Sequence, residues 1–209
     1  MIGDPSSLGL NGLVTTDERH WIYGKGKGFF VANAYNALET DDLLSFPDKQ
    51  LWNPRIPLKV DFLVWTLCYD GAPTFDYMHS AGMIQDDDCL LCGSHTETNA
   101  HLFIHCDTTT SVRAFFLQSF GITWAHCCDV IRTIWEWRNK KSKCRIKRLW
   151  GYLPFAIWWC IWKECNNRLH NNVMKSIEQI ITEVKCLLFN WTINTDIFQG
   201  YILSTLLCN

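Results

Sequence analysis

The sequence has no excess of charge of either sign. Asp and Glu number 21 against 19 Lys and Arg, the formal net charge is −2, and the isoelectric point is near 6.4. Bulk attraction to a polyanion is therefore excluded, and any contact with nucleic acid has to come from a local patch. Charged residues make up only 19% of the chain and hydrophobic ones 48%. A chain of this size buries roughly 70% of its unfolded surface, so wholesale disorder is excluded as well. A membrane-length apolar run is also missing. The longest apolar stretch free of charge, Leu149 to Trp162, is 14 residues and contains Gly151 and Pro154, short of the roughly 20 that a membrane helix needs. The first residues, MIGDPSSLGL, lack a basic segment followed by an apolar one, so no secretory signal is expected. The expected location is intracellular, in nucleus or cytoplasm, with no membrane partner.

Catalytic signatures are missing too. There is no phosphate-binding glycine loop, no H-E-x-x-H and no G-x-S-x-G, and Glu39-Thr40-Asp41-Asp42 lacks the aromatic residue that a polymerase palm places before its aspartates. The expectation is a non-enzyme without a small-molecule substrate.

Cysteine, by contrast, is abundant: eleven, an odd number. Without a signal segment or a small loop-rich chain, a disulfide framework is not expected. Reduced thiols are, some as metal ligands and the rest as small buried hydrophobes. Cys89 and Cys92 form C-x2-C closed by Gly93; His101 follows, then His105 and Cys106. Two thiolates in a knuckle with an imidazole and a fourth soft donor close by suit tetrahedral zinc. Spacing favours Cys106 as that donor but leaves His105 open, since H-x3-H also lies on one helical face; His95 is a weaker candidate. A reactive redox pair is disfavoured because Asp86-Asp87-Asp88 precedes the motif and opposes a thiolate.

The remaining periodicity is helical. Residues 1–20 read as a poorly ordered lead-in, and a short β element is expected near Phe29-Phe30-Val31. Val60, Leu63, Val64 and Leu67 predict a helix with Pro57 in its first turn, ended by Gly71; Thr74 and Gly82 bracket a short second one. Val112, Phe115, Phe116 and Phe120 predict a third. Residues 123–137 carry no clear period. Two long helices follow, one through Leu153, Ile157, Ile161 and Cys165, the other from Ile177 to Trp191 with Ser176 as cap. Trp65, Trp158 and Trp191 sit among apolar residues and read as core. Arg138, Lys140, Lys141, Lys143, Arg145, Lys147 and Arg148 concentrate seven of the nineteen basic residues, a phosphate-binding or nuclear-import stretch or simply a solvated face.

Four blocks resemble the zinc-binding domain found downstream of the polymerase in reverse transcriptases of plant non-LTR retrotransposons. They are Gly28-Phe29-Phe30-Val31 with Ala34-Tyr35 and Leu38; Trp52 with Ile56-Pro57-x-Lys59-Val60-x-Phe62-x-x-Trp65; Pro73-Thr74 and Gly82 with Cys89-x-x-Cys92-Gly93; and Glu97-Thr98-x-x-His101-Leu102-Phe103-x-x-Cys106. Trp158-Trp159-x-Ile161-Trp162-Lys163-Glu164-x-Asn166 looks like the helical tail that often follows. Asp107 stands where the family usually has proline, Arg113 where tryptophan is common, and Cys165 where the tail has arginine.

The resemblance implies Cys89, Cys92, His101 and Cys106 as ligands of one structural Zn2+. It implies a mainly α fold with a short N-terminal β element, a zinc-stapled knuckle and a C-terminal helical region, divided as 1–20, 21–120 and 121–209. It further implies a non-catalytic module that assists binding of an RNA or DNA template. The alternative is a protein-interaction domain, or a drifting retroelement fragment, in which zinc only staples the fold.

Overall fold

A computed structural model describes residues 46–47, 51–124, 128–139 and 147–193. All belong to the compact unit that runs from Ser45 to Asn209. The lead-in over 1–20 and the β element expected near residue 29 lie outside the described residues. Those described are mainly helical and contain no strand.

The helices are α1 (Leu58–Cys68), α2 (Phe75–Ser80), α3 (Asp107–Ser119), α4 (Val130–Asn139), α5 (Lys147–Asn171) and α6 (Ile177–Thr192), with a five-residue π turn (His101–His105) running directly into α3. Pro57 stands at the N-cap of α1, one place outside the expected first turn. The helix ends not at Gly71 but through Asp70, which adopts the left-handed conformation (φ 53°) while the Gly71 amide bonds back to Thr66; aspartate is among the few side chains that tolerate this region. Thr74 precedes α2 as expected, but its hydroxyl bonds Asp76 (2.6 Å) rather than a backbone amide. Gly82 closes α2 at φ 69°. The unassigned stretch 123–137 contains most of α4. Its start is fixed by Asp129, which accepts from the Arg132 amide at 2.7 Å.

The hub is α5, which packs against α1, α3, α4, α6 and the π turn. Leu149, Trp150, Leu153, Phe155, Ala156, Ile157, Trp158, Cys160 and Ile161 are all buried, so the apolar stretch too short for a membrane is the central helix of the core, apolar on nearly every side. No helix among the described residues is long and apolar enough to cross a membrane. Pro154 lacks the amide that would bond the Trp150 carbonyl. That carbonyl instead accepts the Trp137 indole N–H at 2.9 Å, and the Trp150 indole returns a bond to the Trp137 carbonyl at 3.0 Å. The two rings stack at 4.5 Å and clasp α4 to α5. Ser176 and Gln179 form a reciprocal capping box at the start of α6, which buries Ile180, Ile181, Val184 and Leu188. Of the tryptophans read as core, Trp158 is buried, whereas Trp65 and Trp191 are half-buried and lean on the core from outside. Helices α5 and α6 both pack on α3, and α5 also packs on the π turn.

The core also contains an acid. Asp61 is fully buried, and neither carboxylate oxygen makes a hydrogen bond. Burial pushes its carboxyl up to about 6, with the nearby Asn53 amide opposing. Between the ordinary carboxyl value and about 6, the folded chain keeps a proton that the unfolded chain has released, so stability falls as pH rises through this window. Asp61→Asn mimics the protonated form. It is expected to raise the melting temperature at pH 7.5 and to leave it nearly unchanged at pH 4, in paired thermal scans. A rise that is equal at both values would show that the ionisation of Asp61 has no part in it.

Candidate metal centre

The centre is built by one tight knuckle and one irregular turn. Across the knuckle, Asp88 and Thr96 form an isolated antiparallel bridge, and the Cys89 amide bonds the His95 carbonyl at 2.8 Å. The Gly93 amide returns to the Cys89 carbonyl at 2.7 Å, and Gly93 takes φ 64°, where a Cβ would be strained. Cys89 and Cys92 are thereby set on the inner side of one turn. Thr98 starts the next segment: its hydroxyl accepts from the His101 amide (3.0 Å) and its carbonyl from Leu102 (2.8 Å).

His101 and Cys106 are five residues apart. On an α-helix they would point about 140° apart. The π turn closes that angle, because the Cys106 amide bonds the His101 carbonyl at 2.6 Å in the i→i+5 pattern. Leu102, Phe103 and Ile104 are fully buried within it. Buried carbonyls need partners, and each of these three has one: the Thr109 hydroxyl on Leu102 (2.7 Å), the Trp158 indole on Phe103 (3.0 Å) and the Arg113 guanidinium on Ile104 (2.8 Å). Arg113, where the resembling family commonly has tryptophan, is thus a buried donor to this turn.

Cys89, Cys92, His101 and Cys106 converge, their ligand atoms all within 4.8 Å of one another. Cys89 Sγ and Cys106 Sγ are 4.0 Å apart, and Cys92 Sγ and His101 Nε2 are 3.3 Å apart. A tetrahedral zinc ion with ordinary Zn–S and Zn–N bonds has edges of about 3.8 Å between sulfurs and about 3.6 Å between sulfur and nitrogen. The donors therefore fit zinc in both kind and spacing. His105 is exposed and outside the cluster, and the His95 ring lies tilted against that of His101 at 5.3 Å without joining the four.

The contact between the two thiols brings Cys106 down to about 5 against the opposing effect of burial, and the same contact pushes Cys89 up. The other buried thiols are inert by comparison: burial holds Cys68 and Cys160 at about 12. All cysteines among the described residues are free.

Sequence reasoning missed the outer layer. Arg168 of α5 donates to the Leu90 carbonyl (2.8 Å) and the Leu91 carbonyl (3.2 Å), both inside the knuckle, and pairs with buried Glu164 at 2.8 Å. Glu97, also buried, accepts from the backbone amides of Leu90 and Phe75, with the Cys165 thiol 3.4 Å from it. Burial raises the Glu97 carboxyl above its ordinary value. Nothing in the spacing of residues 89–106 pointed to residues 164–168. The tail block around Glu164 was the available signal. Of the basic stretch, Arg138 falls in α4 and Lys147 and Arg148 open α5, while Lys140, Lys141, Lys143 and Arg145 lie outside the described residues.

Fold and donor set together define a helical module around a candidate Cys3His zinc centre. Residues 29–112 match the family model described as zinc-binding in reverse transcriptase, a segment that contains all four converging side chains. No curated protein and no solved structure matches the chain.

Proposed function

We propose that the chain is a non-catalytic, zinc-stapled module of retroelement origin that helps a reverse transcriptase hold its RNA or DNA template. The observation that carries this reading is the convergence of Cys89, Cys92, His101 and Cys106 inside the segment that matches a reverse-transcriptase zinc-binding family. Four protein donors complete a tetrahedron and leave no position for substrate or water, which is the pattern of structural rather than catalytic zinc. One ion per chain would bind, and its chemistry would be to tie the knuckle to the π turn. The chain's residues then present cations to phosphate, with the 138–148 stretch as the densest source of positive charge. Such a module works in the nucleus or cytoplasm.

The test is a titration of RNA and DNA across a salt series. Changing Lys140, Lys141, Lys143 and Arg145 to Gln is expected to weaken binding steeply. The slope of log affinity against log salt should fall by about 0.7–0.9 for each phosphate no longer neutralised. If the native chain, with its zinc content verified, binds no nucleic acid at low salt, the template reading is wrong and the protein-interaction reading replaces it.

A further inference from the structure

Helix α1 carries an unusual outer face. Phe62 and Tyr69 are 57% and 61% exposed, and Trp65 between them is half-buried. Their rings form a continuous row. Phe62 stacks on Trp65 at 5.4 Å, Trp65 meets Tyr69 at 5.3 Å, and Phe46 stacks on Tyr69 at 5.5 Å. A large exposed apolar patch marks an interaction site, and the exposed charges that lead into this helix and lie on it are basic. From Leu51 to Tyr69 the exposed charged residues are Arg55 and Lys59, both basic. Asp61, the only acid in that span, is sealed inside the core, and the first exposed acid, Asp70, comes after the helix has ended. Lys59 also lies 5.2 Å over the ring of half-buried Trp159 on α5, which extends the aromatic surface beside it.

From this geometry we infer that the face of α1 is a stacking platform for single-stranded nucleic acid. Bases stack on exposed aromatic rings whatever their identity, while a flanking cation follows the phosphates. The row offers the first in Phe62, Trp65 and Tyr69, and the second in Lys59 and Arg55. With Asp61 buried, α1 itself carries no exposed acid. A duplex keeps its bases stacked on each other and offers the rings no free face, so the platform selects single strands. The inference rests on the template reading above but places the contact on a different surface from the basic stretch.

The experiment uses the zinc-loaded chain and labelled single-stranded oligouridylate and oligothymidylate of about 15 nucleotides, with a duplex as control. The double variant Phe62→Ala/Tyr69→Ala removes exposed rings, and its zinc content and helical signal are checked against the native chain. It is expected to bind the single strands tenfold or more weaker, as loss of base stacking dictates, with the salt slope unchanged because neither ring neutralises a phosphate. Arg55→Gln/Lys59→Gln is expected to lower that slope by about 0.7 for each charge. If the ring variant binds like the native chain, the platform is wrong while the template reading stands. If the native chain binds neither strand, both fall. If sedimentation shows a native dimer that the ring variant turns into a monomer, the row is an interface between copies and the inference is overturned.

Discussion

Cys106→Ser is expected to weaken zinc binding about a hundredfold or more, and His105→Ala to leave the affinity within about twofold. Cys106 is wholly buried, 4.0 Å from Cys89, and held against His101 by the π turn. A serine hydroxyl is a hard, neutral donor and does not replace a thiolate on zinc. Apparent zinc affinities of four-ligand sites correspond to roughly 10–16 kcal/mol. Losing one of the four ligands should therefore cost about a hundredfold in affinity or more. His105 is turned to solvent and supplies none of the converging atoms. Competition against a chromophoric chelator, run on both variants, gives the comparison. Equal losses would mean that the segment binds metal in a regular helical register with His105 over His101, and the π turn would be the wrong geometry for the loaded protein.

Arg168→Met is the second large effect. Its side chain is 9% exposed and that of Glu164 is 1% exposed. Among the described residues, the Glu164 carboxylate accepts besides Arg168 the Lys175 amide at 2.9 Å, and one of its oxygens has no partner. Removing one member of a buried ion pair leaves the other charge uncompensated, at a cost of about 3–5 kcal/mol. In a chain of this length that corresponds to a fall of roughly 10 °C in melting temperature. The change also releases the Leu90 and Leu91 carbonyls, so zinc affinity should fall in the same variant. Glu164→Gln/Arg168→Met, which removes both charges, should recover part of the stability but not the zinc affinity. If the single variant melts like the native chain, Arg168 does not join the knuckle to α5.

The four converging residues were legible in sequence because C-x2-C, Gly93 and the donors after it are all local. The helices from α1 to α6 were legible wherever one face was apolar, as over Val60–Leu67 and Ile177–Trp191. The stretch around α4 was passed over although Val130, Thr133, Ile134 and Trp137 bury one face at helical spacing; the tryptophans and cysteines that flank that face in sequence drew attention from its period. The π turn was hidden because H-x4-C has no regular helical solution; it forms only when Thr109, Trp158 and Arg113 take up the buried carbonyls. The Arg168–Glu164 pair was hidden for a related reason: its partners in the knuckle are more than seventy residues away in sequence. Trp65, grouped with the core from its neighbours, leans outward because Val60, Leu63, Val64 and Leu67 already fill the inner face of α1.

The clasp between Trp137 and Trp150 has an electrostatic consequence. It fixes two points between which the chain places seven basic residues and no acidic one. Like charges within about 8 Å repel one another at physiological salt, so the stacked rings and paired indole bonds that pack α4 against α5 also hold together the two ends of the most basic segment of the sequence.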